Sequence, residues 1–271
     1  FYAMLQLNET QHLAVNYGRR IVRPEFWRFN PFQIYQNPYV YTRGNPFLQP
    51  AFTNTLEVQY TLGQNYFFAL SYSSSKGFIS GITIQDNQDR TLVNTYSNLG
   101  NNWESGCNIS ASYSVGTKWE SNNYLQIAYK NDQASLDTAV FRFSTWYAYV
   151  SSNNIFYLSN DRSWTGEVNA WYGAPSIEGY QRLSENWELS IGVSKKFWEK
   201  KASLGLLLTD IFYTNINTTS IRLNDQRSAF TKRTDSRGVT LTFMYRFGDT
   251  NMREMKMRKT GSEDEKRRTG E

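Results

Sequence analysis

Apolar and polar residues alternate one by one along most of this chain, and no other feature constrains its fold as tightly. Leu56, Val58, Tyr60 and Leu62 interleave with Glu57, Gln59 and Thr61. Leu13, Val15 and Tyr17 repeat the pattern, as do Tyr66, Phe68, Leu70 and Tyr72, then Cys107, Ile109, Ala111 and Tyr113, then Leu125, Ile127 and Tyr129. It returns at 168–172, 187–193, 204–208 and 239–247, with a less regular aromatic stretch near 138–157. Successive side chains of a strand point to opposite faces, so this spacing predicts about ten two-faced strands and no helix of useful length before residue 248.

A transmembrane wall and a soluble sandwich both satisfy that pattern. The mean hydropathy is −0.61, and no apolar run approaches the ~20 residues that a membrane helix needs. Yet aromatics make up 16% of the chain, with 19 Tyr, 17 Phe and 8 Trp. A barrel wall is polar on average and rich in aromatics, because only every second residue meets lipid. The connections point the same way. Tight turns at 62–65, 115–118, 158–162 and 198–201 take turns with longer excursions at 20–52, 85–91, 132–137 and 215–235, and short turns opposite long loops are the barrel arrangement. Trp103, Trp119, Trp164, Trp187 and Trp198 fall near strand ends, where a membrane interface favours amphipathic rings. The reading is therefore all-β: an antiparallel transmembrane β-barrel segment over residues 1–247, with a charged tail at 248–271. A soluble β-sandwich binding module or adhesin, or a small closed porin, stands as the alternative.

Several chemistries find no support. Cys107 and His12 are the chain's lone cysteine and histidine, which leaves no intrachain disulfide, no two-His metal site and little scope for a His-dependent triad. Asp86, Asn87, Asp89 and Arg90 lack the glycine and terminal glutamate of an EF-hand and read as a turn. The net charge of +5 comes without a basic helix or a nucleic-acid-binding motif. Glu263, Asp264 and Glu265 lie among Lys266, Arg267 and Arg268, a pattern of a solvated segment rather than a metal site. No enzyme, cofactor, metal or nucleic-acid partner is expected. Phe1-Tyr2-Ala3-Met4 carries no signal-peptide pattern, so the chain reads as mature or as the C-terminal piece of something longer.

Residues 20–52 stand apart. Pro24, Pro31, Pro38, Pro46 and Pro50 fall there among many aromatics. Proline lacks a donor and fixes φ, which excludes a central strand and predicts an ordered loop. Its rings could pack on one another and stiffen the mouth of a barrel. Alternatively, Arg23, Trp27, Tyr35, Tyr39 and Tyr41 could present a fixed stacking surface to a ligand.

This stretch also carries a resemblance. Arg19-Arg20-Ile21 with Arg23-Pro24, Asn30-Pro31-Phe32, Gly44-Asn45-Pro46, Asn98-Leu99-Gly100, Lys195-Lys196-Phe197, Asp210-Ile211-Phe212 and the closing Tyr245-Arg246-Phe247-Gly248 resemble the C-terminal barrel of TonB-dependent receptors, in particular the outer membrane protein beta-barrel family. The resemblance implies a cell outer membrane location and about ten strands of a 22-stranded barrel used for nutrient uptake. It also implies partners: the lipid bilayer, further N-terminal strands and a plug, a TonB-type energising complex acting through that part, and a candidate surface lipoprotein. On this view Tyr66, Phe68, Leu70, Leu189, Ile191, Leu241 and Phe243 face lipid, while Glu57, Gln59, Gln126 and Glu188 face the lumen. The segments at 64–84 and 92–114 exceed a span, and the excess should stand outside as a paired hairpin. Counting hairpins back from a periplasmic tail places loop 20–52 on the extracellular side.

Overall fold

The computed structural model describes residues 1–86, 88–136, 139–178, 181–223 and 226–247. The tail at 248–271 and Asn87 lie outside the described residues. In chain order the elements begin with β1 (Tyr2–Asn8), β2 (Gln11–Val22), α1 (Phe26–Phe29), β3 (Ile34–Asn37), β4 (Val40–Thr42), β5 (Ala51–Leu62) and β6 (Tyr66–Lys76). They continue with β7 (Ile79–Asp86), β8 (Thr91–Asn98), β9 (Gly100–Val115), β10 (Trp119–Leu136), β11 (Ala139–Tyr157) and β12 (Trp164–Gly173). The remainder are β13 (Ser176–Glu178), β14 (Gln181–Leu183), β15 (Asn186–Phe197), β16 (Ala202–Thr209), β17 (Ile216–Leu223), β18 (Gln226–Arg233) and β19 (Gly238–Tyr245).

Eleven of these strands form one antiparallel sheet in the order β1-β2-β5-β6-β9-β10-β11-β12-β15-β16-β19. This wall has one strand more than the alternation predicts, because β1 holds Met4, Leu5 and Leu7 without the regular pattern. β1 and β19 are its two edges and do not pair with each other. Register carries the alternation across the whole sheet. Val15, Val58, Leu70, Cys107, Ile127 and Ala148 are successive cross-strand partners and share one face. Asn16, Glu57, Ser71, Gly106, Ala128 and Tyr147 are likewise successive partners on the other. By the same counting, every residue expected toward lipid sits on the apolar face, and Glu57, Gln59, Gln126 and Glu188 sit on the polar one.

The apolar face is uncovered, with Leu70 at 62% and Leu241 at 69% exposure. Two aromatic belts bound it. Tyr17, Tyr72, Tyr129 and Trp146 lie in one register row, and Trp103 lies between the rings of Tyr72 and Tyr129 at 6.2 and 5.5 Å. Near the short turns, Trp119 and Phe156 are cross-strand partners with Tyr113 packed against Trp119 from the next row in, and Phe197, Trp198 and Tyr245 lie further along. On β9, β10 and β11 the belts are about ten residues apart. At ~3.3 Å per residue and a tilt of ~40° that is roughly 25 Å, the height of a transmembrane apolar band.

The loop side is more structured than the sequence predicts. The expected loops 20–52 and 215–235 hold strands, and 85–91 is the tip of a hairpin. β3-β4-β8-β7 make one four-stranded sheet and β13-β14-β17-β18 another. The prolines flank β3 and β4 instead of interrupting them: Pro38 lies in the turn between them, and β4 becomes an interior strand by pairing in parallel with β8. So the exclusion of a central strand fails for these three residues, because proline disqualifies only the position it occupies. The hairpin β7–β8 leaves the wall at a bulge. Gly77 (φ 66°) and Gly100 (φ 117°) occupy backbone space that side chains disfavour, and both Gly77 N–H and Phe78 N–H reach the Gly100 carbonyl at 2.6 and 3.1 Å. Leu99, between them, is fully buried with Ile82 and Ile221, and Phe78 and Phe143 pack around this cluster. The hairpins β7–β8 and β17–β18, which rise from strands far apart in the wall, thus meet over a small dry core.

Candidate ligand site at the loop-side mouth

Beneath that core is a cavity of about 350 Å³. Three parts of the molecule line it. Val22, Arg23, Glu25 and Arg28 come from the end of β2 and the proline-rich segment; Thr53, Ser75, Asn102 and Lys130 project from the polar face of the wall; Phe78, Ile79, Ser80 and Glu178 come from the two loop sheets. Alternation aims the wall residues. Thr53 and Ser75 are cross-strand partners on the polar face, and their hydroxyls lie 2.8 Å apart.

The charges differ in how they are held. Arg28 Nε meets Glu25 Oε2 at 3.2 Å, and Lys130 Nζ meets Asp132 Oδ2 at 3.2 Å. Among the described residues, Arg23 and Glu178 form no ion pair. The cavity therefore offers one free guanidinium, one free carboxylate and several hydroxyls, alongside a Phe78 ring. Such a mixture suits a ligand with polar groups of both signs and some apolar surface.

The structure separates the five residues singled out by sequence. Arg23 lines the cavity. Trp27 packs edge-on against Tyr96 at 5.2 Å, and Arg28 lies over both rings at 5.2 and 5.1 Å. Tyr35 and Tyr41 pair at 5.3 Å across the β3–β4 hairpin. Tyr39 is 66% exposed. The four rings are thus not gathered into one stacking platform with Arg23.

The proline-rich segment is pinned by side-chain amides, one of its own and one from β8. Asn45 Nδ2 donates to the Tyr96 carbonyl at 2.9 Å. Asn98 accepts from Gln49 N–H at 2.8 Å and donates to the carbonyls of Gln49 and Gly77 at 2.8 and 2.7 Å. Gly44 presses on the α1 turn so closely that a Cβ would stand 2.5 Å from the Arg28 carbonyl oxygen. On the far side of the mouth, Asp210 is fully buried and accepts from Thr214 N–H, Asn215 N–H and the Ser236 hydroxyl at 2.9, 3.2 and 2.5 Å. Nothing in the motifs singles out Glu178, Lys130, Thr53 or Ser75, although alternation alone puts the last three on the polar face.

Comparison with known proteins places these features. A family model described as the outer membrane protein beta-barrel family matches residues 1–245. The siderophore receptor PirA from Pseudomonas aeruginosa superposes with a TM-score of 0.55 at 12% identity, over 85% of this chain and 40% of PirA. The ferric enterobactin receptor PfeA, in its complex with BCV-L6, gives 0.56 at 12% identity, over 90% of this chain and 40% of that one. A complex of a PfeA mutant from Pseudomonas aeruginosa with enterobactin gives 0.51 at 13% identity, over 78% and 34%. The chain thus spans about 40% of the length of PirA and of PfeA in its complex with BCV-L6. No curated protein matches it.

Proposed function

Because this chain belongs to the outer membrane protein beta-barrel family, and so forms an antiparallel wall in the cell outer membrane, we propose that it supplies part of the barrel wall and the outer loops of a TonB-dependent receptor that takes up a nutrient. The observation that carries this reading is the cavity under the loop-side core, lined jointly by wall, proline-rich segment and loop sheets. In this reading the loop side faces outward and the polar face lines the lumen. A ligand enters under the joined hairpins and meets Arg23 and Glu178. It then passes along a wall of hydroxyls, amides and tyrosines once a plug, carried by a part of the protein beyond this chain, moves. Energy comes from an inner-membrane complex pulling on that same part. The overlay with a siderophore receptor and a ferric enterobactin receptor supports iron chelates as the first class to try. The aromatic residues of the proline-rich segment act mainly by holding the mouth in shape, with exposed Tyr39 left to touch a ligand. A surface lipoprotein above the loops would fit the same arrangement.

The test is uptake in cells that carry the full protein. Growth on a panel of iron chelates under iron limitation, compared with a deletion strain, identifies the ligand. Arg23→Ala and Glu178→Ala should then lower uptake while the barrel still assembles and shows its usual heat-dependent gel shift. No difference between wild type and deletion across iron chelates, other metal complexes and oligosaccharides would overturn the reading.

A further inference from the structure

We propose that the outward face of β2, β5 and β6, just above the loop-side aromatic belt, binds the phosphorylated headgroup of an outer-leaflet lipid through Arg19 and Lys76; the choice of leaflet rests on the loop side facing outward. The starting point is the run Arg19-Arg20-Ile21-Val22-Arg23, which strand alternation divides. Arg20 pairs with Thr53 on the lumen face, and Arg23 reaches the cavity. Arg19 pairs with Asn54 and therefore points out of the barrel with Tyr17 and Ile21.

The register fixes the height of this patch. Tyr17, Tyr72, Tyr129 and Trp146 mark the upper limit of the hydrocarbon band. The next outward row is Arg19, Asn54, Ser74, Trp103 and Asn131, which is polar but for the tryptophan. One step higher, Lys76 is the cross-strand partner of both Phe52 and Asn101. Arg19 is two residues past Tyr17 and Lys76 four past Tyr72, which puts them roughly 5 and 10 Å above the belt. That is headgroup depth. Lower down, an outward cation at mid-membrane would cost ~2–4 kcal/mol.

The patch is shaped around one ring. The guanidinium carbon of Arg19 stands 5.4 Å from the centre of the Phe52 ring, and Lys76 flanks the same residue across the strand pair. Neither cation has an ion pair among the described residues, and none of the outward positions of β2, β5, β6 and β9 holds a carboxylate. Asn54 accepts from the Tyr17 hydroxyl at 3.2 Å through Oδ1, which leaves its amide donors free. A planar guanidinium, an ammonium and amide donors on an outward face are complementary to phosphate oxygens. The Phe52 ring, level with Lys76 and one row above Arg19, supplies an apolar surface between the two cations. In the intact membrane the surrounding medium at this height is headgroup, so lipid is the partner that the location selects.

The full-length protein is reconstituted into phosphatidylcholine nanodiscs containing a minor fraction of diphosphorylated lipid A, or of the same lipid with its phosphates removed. Retention of the added lipid after exchange into pure phosphatidylcholine is measured by mass spectrometry. Wild type should retain the phosphorylated form and not the dephosphorylated one. The double substitution R19Q/K76Q should lower that retention roughly tenfold, whereas K118Q, in a turn on the opposite side, should leave it unchanged. Equal retention of both lipids, or equal retention by wild type and R19Q/K76Q, overturns the proposal. Neither result bears on uptake, which is read from growth, so this proposal and the transport reading fail separately.

Discussion

The wall and the loop-side cap solve the same problem in opposite ways. In the wall the large apolar side chains are the uncovered ones, and the buried positions on its lumen face are small: Ala14, Ala69 and Ala128 are at 7%, 2% and 1% exposure. In the cap, Ile82, Leu99 and Ile221 are the buried ones, as in any water-soluble domain. Burial from water drives both, but the wall uses lipid as the second half of its core, whereas the cap has to supply both halves from protein. A side chain of one type should therefore answer differently to the same change in the two regions.

The largest effects come from exchanging the chemistry of each core. Leu99→Ala opens a cavity in closely packed protein and should destabilise the cap by ~2–5 kcal/mol. Proteolysis of the β7–β8 hairpin in intact cells should accelerate, while the heat-dependent gel shift of the barrel stays as in wild type. A lost gel shift would mean that wall and cap are one cooperative unit. In the wall, Leu241→Arg places a cation on the lipid face and should cost roughly 2–4 kcal/mol. Here the gel shift and the urea midpoint in vesicles should fall with no change in loop proteolysis at low temperature. If Leu241→Arg assembles with an unaltered midpoint, the facing of β19 is wrong.

A smaller effect is expected at the joint between the regions. Asn98 bridges the proline-rich segment and the Gly77 bulge with three hydrogen bonds. Asn98→Ala leaves the partly buried Gly77 carbonyl without its donor and the exposed Gln49 groups to water, and should cost about 1–3 kcal/mol. Its signature is faster cleavage near Arg43 with the wall intact. Cleavage unchanged at both 20–52 and 79–98 would show that the segment is held by its ring contacts instead.

This contrast also explains what could be read from sequence. The wall was legible because a two-sided sheet writes its facing into every second residue: Leu56, Val58 and Tyr60 declare one face and Glu57 and Gln59 the other. The cap was not, because its strands are short and Val40-Tyr41-Thr42 has no alternation long enough to count. Its pairing with β8 spans about fifty residues of sequence. The motifs behind the family resemblance were visible, but their roles were not. Gly44 serves a close approach, Asn98 a bridge, Leu99 the dry core, Gly100 a bulge and Asp210 a turn, so these motifs are chiefly the pins of the mouth. Of the ligand candidates, only Arg23 reached the cavity, because ring-rich composition reports order and not direction. Glu178 could not be found at all, since it arrives from a distant three-residue strand.

The smallest effect tests an exception to the contrast, where the lipid face is polar. Just inside the turn-side belt, Ser121, Asn123, Ser152 and Asn154 occupy outward positions of β10 and β11. They close a ring: Ser121 donates to Asn154 at 2.9 Å, Asn154 to Ser152 at 2.9 Å, Ser152 to Asn123 at 2.7 Å, and Asn123 to Ser121 at 2.8 Å. Trp119 Nε1 adds a fifth bond to Asn154 at 3.0 Å. Hydrocarbon offers no substitute partners, so these groups satisfy one another and in doing so tie β10 to β11. Ser121 is 2% exposed, beneath the longer chains. Ser121→Ala removes one donor and one acceptor but leaves Asn154 its bond from Trp119, and should lower the urea midpoint in vesicles by the equivalent of ~1 kcal/mol. Ser112→Ala, on the lumen face of β9 and open to water, should do less, because water replaces the lost partner. If the two substitutions prove equal, the ring faces water or another protein surface, and the division between an apolar outside and a polar inside ends one row higher on these strands than the belts imply.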